Sequence, residues 1–473
     1  MEVLTMSDVR RYDILVLGSG EAGKYLAWTM AKAGRRVAVI ERRWIGGSCP
    51  NIACLPSKNI IYSAHVAALF RRGAEFGITP GTIRVDMNTV RGRKRQMVDD
   101  LVAIHRKNYA VSGAELIMGE GRFIAPKTIE VRAQDGSTRV LTGDRVYLNV
   151  GTRAAIPDVP GLVQAAPLTH VEALELGYLP EHLIVLGGGY VGLELAQPMR
   201  RFGSRVTVVE QGPQIAGHED SDVAQALLQR FEDEGSTVLL NARALEVEGQ
   251  SGKQIRLRVE TPAGTQTIEA SDILVAAGRK PNTQDIGLDT VGIEVDARGY
   301  IKVNERLETT SPDVWALGDC AGSPQFTHVS FDDFRVVRDN LSGGNRTTRN
   351  RLVPYCMFTD PEVGRVGLNE SEARRAGIAY RIARIPLAAV LRTRTLSETY
   401  GFLKALIAAD SDQIIGFTAV GAGASELIAV VQVAMLASVP YTALRDTILT
   451  HPTMAEGLTV LFANEPTPPA PGR

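Results

Sequence analysis

One pattern occurs twice in this chain, and it limits the possible folds more than any other feature. Each copy predicts a buried strand, a glycine turn, a helix and a second strand that ends in an acidic residue. The first copy runs from Tyr12 to Glu41 and the second from Leu183 to Glu210. Both acids stand 23 residues after the first glycine of their copy. The repeat predicts an α/β protein with two Rossmann-like dinucleotide-binding domains.

The glycine turns indicate what the two units bind. Three glycines let the backbone turn tightly, approach a pyrophosphate and pack a helix on its strand, while the closing acid binds ribose hydroxyls. A single motif of this kind is also compatible with an ordinary turn, but two copies with equal spacing favour two dinucleotides. In an oxidoreductase the usual pair is a held flavin and an exchanging nicotinamide. The residues are Gly18, Gly20, Gly23 and Glu41 in the first copy, and Gly187, Gly189, Gly192 and Glu210 in the second.

The C-terminal part of the chain predicts a third domain. A polar linker, Ser342–Arg349, precedes a region that mixes a strand-like run, Phe402–Ala408, with a helical one, Ala424–Ala437. This mixture predicts an α+β domain. The last stretch, Glu465–Arg473, holds four prolines and is predicted to be disordered. A length of 473 residues suits two to four domains.

Composition narrows the choice of partner and compartment. The 52 basic and 53 acidic residues balance, so no broad field attracts nucleic acid or a membrane surface. The apolar run Ile14–Leu17 reads as a first strand rather than a signal peptide, and Leu427–Pro440 is shorter than the ~20 residues of a spanning helix. Four cysteines are too few for a disulfide scaffold. We therefore expect a cytoplasmic protein that acts on small molecules.

Cys49 and Cys54 lie five residues apart between the two copies. They are close enough to form a small disulfide ring, although chance or half of a metal site would give the same spacing. Zinc sites normally need a second cysteine pair or histidines, so no metal site is predicted. Glycines before the pair and a helical run after it predict a helix start, where both thiols should have lowered pKa values. Redox chemistry is the better interpretation.

Taken together, these motifs resemble the pyridine nucleotide-disulfide oxidoreductases, the family of lipoamide dehydrogenase, glutathione reductase and mercuric reductase. The resemblance implies FAD and NAD(H) as cofactors, with NADPH less favoured, and a homodimer. It also implies an FAD-binding domain at residues 1–152 and 283–345, an NAD-binding domain at 153–282 and a dimerisation domain at 346–473. The motifs that carry it are Gly18–Gly23, Gly46–Lys58, Gly187–Gly192, Ala277–Asn282, Gly318–Asp319, Phe358–Val363, and His451-Pro452-Thr453 with Glu456.

The resemblance implies roles for the cysteine pair and its neighbours. Cys54 would be the sulfur that faces the flavin, and Cys49 the outer thiol that attacks the substrate. Lys58 would lie near the flavin and pair with Glu194. Tyr190 would cover the flavin until nicotinamide displaces it.

The resemblance also assigns an acid/base group and further cofactor contacts. His451, oriented by Glu456, would move protons for the partner subunit's cysteines, with Pro452 opening a helix behind it. Asp319 would bind a ribityl hydroxyl of FAD. The further glycines of the cofactor sites would be Gly151 and Gly278.

Departures from the family pattern bear on the electron acceptor. Mercuric reductases carry a second cysteine pair near the C-terminus, whereas no cysteine follows Cys356 here. Gln325–Asp333 and Leu449–Thr453 resemble the reactive-chlorine-resistance flavoproteins, which are associated with copper reduction. The leading prediction is an enzyme that passes electrons from NADH through FAD and a Cys49–Cys54 disulfide to a small disulfide, or a lipoamide-type dehydrogenase in reverse. The alternatives are a mercuric or cupric reductase and a flavin-bearing redox sensor.

Overall fold

The structure, a computed structural model, describes residues 9–79 and 81–469. Within these residues the strands are β1 Val9–Leu17, β2 Val37–Glu41, β3 Glu115–Met118, β4 Glu120–Ala125, β5 Thr128–Arg132, β6 Thr138–Leu148, β7 Thr152–Ala154, β8 His182–Leu186, β9 Arg205–Val209, β10 Thr237–Leu239, β11 Arg243–Gln250, β12 Gln254–Thr261, β13 Gly264–Ala270, β14 Asp272–Val275, β15 Arg279–Pro281, β16 Val314–Ala316, β17 Tyr355–Met357, β18 Val363–Gly367, β19 Tyr380–Pro386, β20 Phe402–Ala408 and β21 Ile414–Val420. The α-helices are α1 Glu21–Lys32, α2 Ser48–Asn51, α3 Cys54–Arg71, α4 Met87–Ser112, α5 His170–Ala173, α6 Tyr190–Phe202, α7 Ser221–Asp233, α8 Thr327–Leu341, α9 Glu370–Arg375, α10 Leu391–Leu396, α11 Ala424–Leu436, α12 Tyr441–Asp446 and α13 Gly457–Ala463.

The chain divides into two compact units. Of the described residues, the first contains 9–60 together with Asn88–Ala155 and Gly278–Arg351. The second contains 61–79, 81–87, Ile156–Ala277 and 352–469. The division into FAD-binding, NAD-binding and dimerisation domains remains a prediction.

A mixed sheet forms the centre of the first unit. Its order is β3-β2-β1-β6-β5-β4, with β16 also paired to β6, and β1 runs parallel to both β2 and β6. Side chains alternate along a strand, so β1 contributes to an apolar cluster on each side of the sheet. Leu15 and Leu17 belong to one cluster, and Ile14 and Val16 to the other. Burial on both faces explains why the predicted strand is a continuous apolar run.

The second unit contains three further sheets. A parallel sheet has the order β10-β9-β8-β14, and β11, β12 and β13 form an antiparallel sheet. A five-stranded antiparallel sheet, β17-β18-β21-β20-β19, packs against α11 through an apolar cluster that includes Leu427 and Val431. This arrangement confirms the predicted class, two Rossmann-like folds and an α+β domain.

The predicted disorder of the C-terminal tail is wrong for residues 465–469. Thr467 exchanges two backbone hydrogen bonds with Ile382 of β19, at 2.7 and 3.0 Å. The tail therefore pairs with an edge strand, whose free backbone groups can accept a short segment despite its proline content. The remaining residues of the predicted tail, 470–473, lie outside the described residues.

Candidate redox and dinucleotide sites

The first glycine turn is possible only with glycine at its three key positions. Gly18 has a φ of +97°, and a Cβ there would lie 2.4 Å from the carbonyl oxygen of Asn149. A Cβ on Gly20 would lie 2.5 Å from the side-chain oxygen of Asn149. A Cβ on Gly23 would lie 2.5 Å from the carbonyl oxygen of Gly18, which would separate α1 from β1. These positions fit the turn of a dinucleotide site.

The second turn repeats this geometry with one difference. Gly187 has a φ of +107°, and a Cβ there would lie 2.5 Å from the carbonyl oxygen of Ala276. A Cβ on Gly192 would lie 2.0 Å from the carbonyl oxygen of Gly187. A Cβ on Gly189, in contrast, would meet nothing within 4 Å. Open space at the N-terminus of α6 fits a pyrophosphate that approaches the backbone closely.

The two closing acids are both tied to their turns, but to different extents. The Glu41 carboxylate accepts hydrogen bonds from the amide and hydroxyl of Ser19, at 2.9 and 2.7 Å, and from the amides of Arg43 and Trp44. Glu210 accepts one bond at each oxygen, from the amides of Gly188 and Gly212, both at 2.7 Å. A carboxylate has about four acceptor positions, so Glu210 keeps about two for a ribose.

Asn149 holds the first turn in place, and its role was not predicted. Its side-chain oxygen accepts a hydrogen bond from the amide of Gly23 at 3.0 Å, and its side-chain nitrogen donates to the carbonyl of Leu317 at 2.8 Å. It therefore links α1 to the strand that leads into Gly318 and Asp319. No spacing rule marks this residue, because it follows a strand far from either glycine motif.

The other expected FAD contacts lie in the same unit. The Asp319 carboxylate accepts a hydrogen bond from the Thr152 hydroxyl at 2.7 Å. Gly151 and Gly278 both have positive φ, +66° and +109°, and a Cβ on either would meet nothing within 4 Å. Their cofactor contacts remain predictions.

The structure places both cysteines at helix starts. Cys49 lies in α2, and Cys54 is the first residue of α3. The Cys54 sulfur lies 3.2 Å from the hydroxyl of Thr327, a contact that sequence reasoning missed because Thr327 comes from the start of α8. The disulfide between the two cysteines remains a prediction.

The predicted lowering of both thiol pKa values is wrong for Cys49. Its hydrogen bond to Cys54, together with burial, raises the pKa of the Cys49 thiol. In a dithiol the first thiolate accepts the proton of its neighbour, so the second proton is harder to remove. This effect exceeds any benefit from the short helix α2.

His451 and Glu456 form the predicted pair. Nδ1 of His451 lies 3.0 Å from both carboxylate oxygens of Glu456, and the imidazole is 61% exposed. Pro452 does not open a helix as predicted, since α13 begins at Gly457. The Thr453 hydroxyl instead donates to the Thr450 carbonyl at 2.8 Å and accepts from the Glu456 amide at 3.3 Å, which forms a local turn.

Tyr190, the first residue of α6, is held by a buried carboxylate. Its hydroxyl donates to Oε1 of Glu219 at 2.6 Å, and the hydroxyl of Tyr355 donates to the same oxygen at 2.6 Å. The two rings lie 5.6 Å apart. Burial, followed by the charge of Glu219, raises the pKa of Tyr190, so its hydroxyl stays protonated and donating. Sequence reasoning missed Glu219 and Tyr355, which carry no motif.

Three other expectations concern single residues. Glu194 accepts a hydrogen bond from the backbone amide of Phe358 at 2.8 Å, while its pairing with Lys58 remains a prediction. The sequence favours buried structural thiols at Cys320 and Cys356, because free cysteine behaves as a small hydrophobe. Cys320 is fully buried, but Cys356 is only partly buried because it lies on the outer strand of a sheet.

Two features are absent from the described residues. No group of three or more His, Cys, Asp or Glu side chains in residues 9–79 and 81–469 is arranged to hold a metal ion. No helix in the same part of the chain is both long and apolar enough to cross a membrane.

Comparison with known families identifies the chain. Residues 12–333 match the family Pyridine nucleotide-disulphide oxidoreductase, and residues 353–461 match the dimerisation domain of that family. The chain belongs to this family. It is therefore an oxidoreductase, and the family uses FAD and NAD(P)H. These findings confirm the predicted family, enzyme class and cofactors, and the second match supports a homodimer.

Individual relatives cover nearly the whole chain. A probable pyridine nucleotide-disulfide oxidoreductase from Escherichia coli, RclA, is 35% identical over 96% of this chain and 99% of its own. A mercuric reductase from Staphylococcus aureus is 32% identical over 94% of this chain and 81% of its own. The solved Cu(II) complex of the E. coli flavoprotein disulfide reductase RclA superposes with a TM-score of 0.87 at 33% identity, covering 96% of this chain and 99% of that one.

The cysteine geometry predicts how thiol reactivity depends on pH. In the reduced protein Cys49 is protonated below its raised pKa and ionises only above it. Cys54→Ala removes the hydrogen bond that raises this pKa. The pH midpoint for alkylation of Cys49 should therefore move down, toward the value of about 8.5 for an ordinary thiol. Iodoacetamide labelling with peptide mass spectrometry measures it, and Cys356→Ala is the control that should leave it unchanged. An unchanged or higher midpoint in Cys54→Ala would contradict the assignment.

Proposed function

We propose that this protein is an FAD-dependent NADH:disulfide oxidoreductase that passes electrons through Cys49 and Cys54 to a small disulfide. The observation that carries the proposal is the dithiol formed by Cys49 of α2 and Cys54 at the start of α3, with the hydroxyl of Thr327 beside the Cys54 sulfur. FAD, when bound at Gly18–Gly23, supplies the redox relay between NADH and the cysteine pair. The same chemistry in reverse would make the protein a lipoamide-type dehydrogenase.

The two cysteines account for every bond that forms and breaks in the reaction with the disulfide. The Cys49 sulfur attacks one sulfur of the acceptor, the acceptor disulfide breaks, and the first product thiol leaves with a proton. The Cys54 sulfur then attacks Cys49 in the mixed disulfide, which forms the Cys49–Cys54 bond and releases the second product thiol. Two electrons from NADH restore the dithiol. We assign His451, with Nδ1 bound to Glu456, to move the proton at each step.

A metal-ion reductase is the second candidate. The observation that favours it is the Cu(II) complex of the related E. coli RclA, together with the soft thiolates that Cys49 and Cys54 can offer. Two Cu(II) ions would take the two electrons of the dithiol, become Cu(I) and leave the disulfide. One Hg(II) ion would take the same two electrons.

A panel of acceptors under steady-state NADH oxidation separates these functions. The holoenzyme is assayed with lipoamide, glutathione disulfide, Cu(II) and Hg(II), and Cys49→Ser provides the matched variant. Turnover of a disulfide that Cys49→Ser abolishes supports the leading proposal. Turnover of metal ions only would replace it with the second candidate, and no turnover with any acceptor would favour a redox sensor.

The coenzyme preference follows from Glu210. Its remaining acceptor positions suit ribose hydroxyls and its charge repels a 2′-phosphate, while Gln211–Gln214 offer no cation. The specificity constant for NADH should exceed that for NADPH by about tenfold or more, the size of one charged hydrogen bond. Glu210→Ala should reduce this preference. Glu246→Ala, which removes a half-buried carboxylate on β11, should not. Equal or better use of NADPH by the unmodified protein would refute the proposal.

The hydrogen bonds to Glu219 predict how easily Tyr190 moves aside. If Tyr190 covers the flavin, NADH must displace it against its hydrogen bond to Glu219, whose same oxygen also accepts a bond from Tyr355. Glu219→Gln replaces charge-assisted bonds by weaker neutral ones, so the apparent Kd for NADH should fall about three- to tenfold. Stopped-flow reduction of FAD across NADH concentrations measures it. Tyr355→Phe, which leaves Tyr190 its own bond to Glu219, should change the Kd less. A weaker or unchanged NADH affinity in Glu219→Gln would exclude the proposal that Tyr190 covers the flavin.

We further propose that the active site is shared between the two subunits. Cys54→Ser chains and His451→Ala chains are co-expressed, each being nearly inactive alone. In a mixed dimer with sites built in trans, one site is doubly damaged and the other is intact. Random pairing makes about half the dimers mixed, so roughly a quarter of all sites should recover. Recovery near zero, with mixed dimers shown to be present, would contradict the shared site.

A further inference from the structure

A cavity of about 540 Å³ lies within the second unit and has no part in the proposed reaction. It is lined by the C-terminal turns of α3 and α6, by α7 and by the segment Ser397–Tyr400. This volume is in the range of small-molecule sites, about 300–1,000 Å³. Its walls are rich in charged side chains.

Every carboxylate in the cavity wall lies in an ion pair with Arg72 or Arg201. The pairs are Arg72–Glu75 at 2.9 Å, Arg72–Glu398 at 4.0 Å, Arg201–Glu234 at 2.5 Å and Arg201–Asp360 at 2.9 Å. His65 also lies 3.6 Å from Asp360. The wall thus holds five arginines against four carboxylates, and the other three arginines have no carboxylate within ion-pair distance among the described residues.

Three arginines are left in this way. Arg71 donates only to the backbone carbonyl of Arg201, at 2.5 Å. Arg200 donates only to the backbone carbonyls of Glu234 and Ser204, at 2.7 and 3.2 Å. Among the described residues, neither guanidinium is within ion-pair distance of a carboxylate.

Arg230, the third arginine, stacks on an aromatic ring. Its guanidinium lies 4.9 Å from the ring centroid of Tyr400, and its Nε is buried without a hydrogen-bond partner among the described residues. A ligand in the cavity would therefore meet Arg230 through its terminal guanidinium nitrogens, which make no ion pair with the described residues.

We propose that this cavity binds the phosphate group of a small phosphorylated metabolite. Arginine forks suit phosphate because they donate two parallel hydrogen bonds to its oxygens. A phosphate monoester carries a charge of about −1.5 to −2 and three acceptor oxygens, which matches three arginines that have no carboxylate. The stacked pair of Arg230 and Tyr400 keeps one of these guanidinium groups oriented.

The test measures anion binding to the holoenzyme. FAD is bound and NAD⁺ is present at saturation, so that neither glycine turn is free for a phosphate. Isothermal titration with inorganic phosphate, pyrophosphate and citrate is done at constant ionic strength. Saturable binding of phosphate or pyrophosphate at one site per chain is expected, and Arg230→Gln should weaken it about tenfold, the size of one charged hydrogen bond.

The control is Arg258→Gln, which removes the same charge from an exposed position on β12. This variant should bind the anions as the unmodified protein does. Arg71→Gln supplies a second variant, because Arg71 is exposed and makes a single hydrogen bond. No saturable binding, or equal binding by the variants at positions 230, 71 and 258, would overturn the site. Tighter binding of citrate than of either phosphate would overturn the assignment of the anion.

Discussion

The hydrogen bonds of Asn149 are the interaction on which the first dinucleotide site depends. Its side chain accepts a hydrogen bond from the amide of Gly23 in the first turn of α1 and donates one to the carbonyl of Leu317, just after β16. Its backbone carbonyl and its side-chain oxygen lie where side chains on Gly18 and Gly20 would stand. The turn, the helix and the segment that presents Asp319 are therefore set by a single buried amide. Any rearrangement of one of them would leave that amide without a partner, at a cost of about 1–3 kcal/mol.

Much of the fold could be predicted because its signals are local. The strand before each glycine turn is a continuous apolar run, and the turn itself admits only glycine at positions such as Gly187. The pairing of Thr467 with β19 was not predicted. Proline content indicates only a low local propensity for regular structure, whereas the free backbone groups of an edge strand can bond to a segment of any composition. A signal that depends on one segment is readable from sequence, and one that depends on two distant segments is not.

The same distinction separates the predicted and missed parts of the site. The spacing of Cys49 and Cys54 indicated redox chemistry, but Thr327 reaches Cys54 from a helix more than 250 positions away along the chain, and the pKa of Cys49 depends on its neighbour rather than on its helix. Likewise Tyr190 lies within a motif, while the carboxylate of Glu219 that holds it does not. Each missed residue acts through a contact between elements, which no motif records.

The two glycine turns differ in how strongly packing within the protein restricts the residue type at their second glycine. At Gly20 a methyl group would collide with the side-chain oxygen of Asn149, which already accepts a hydrogen bond from Gly23, so packing within the protein opposes another residue there. At Gly189 a methyl group would meet none of the described residues within 4 Å, so packing within the protein does not require glycine there. Descendants of this chain that lost the use of nicotinamide would still be obliged to keep Gly18, Gly20 and Gly23, but would be free to drift at Gly189.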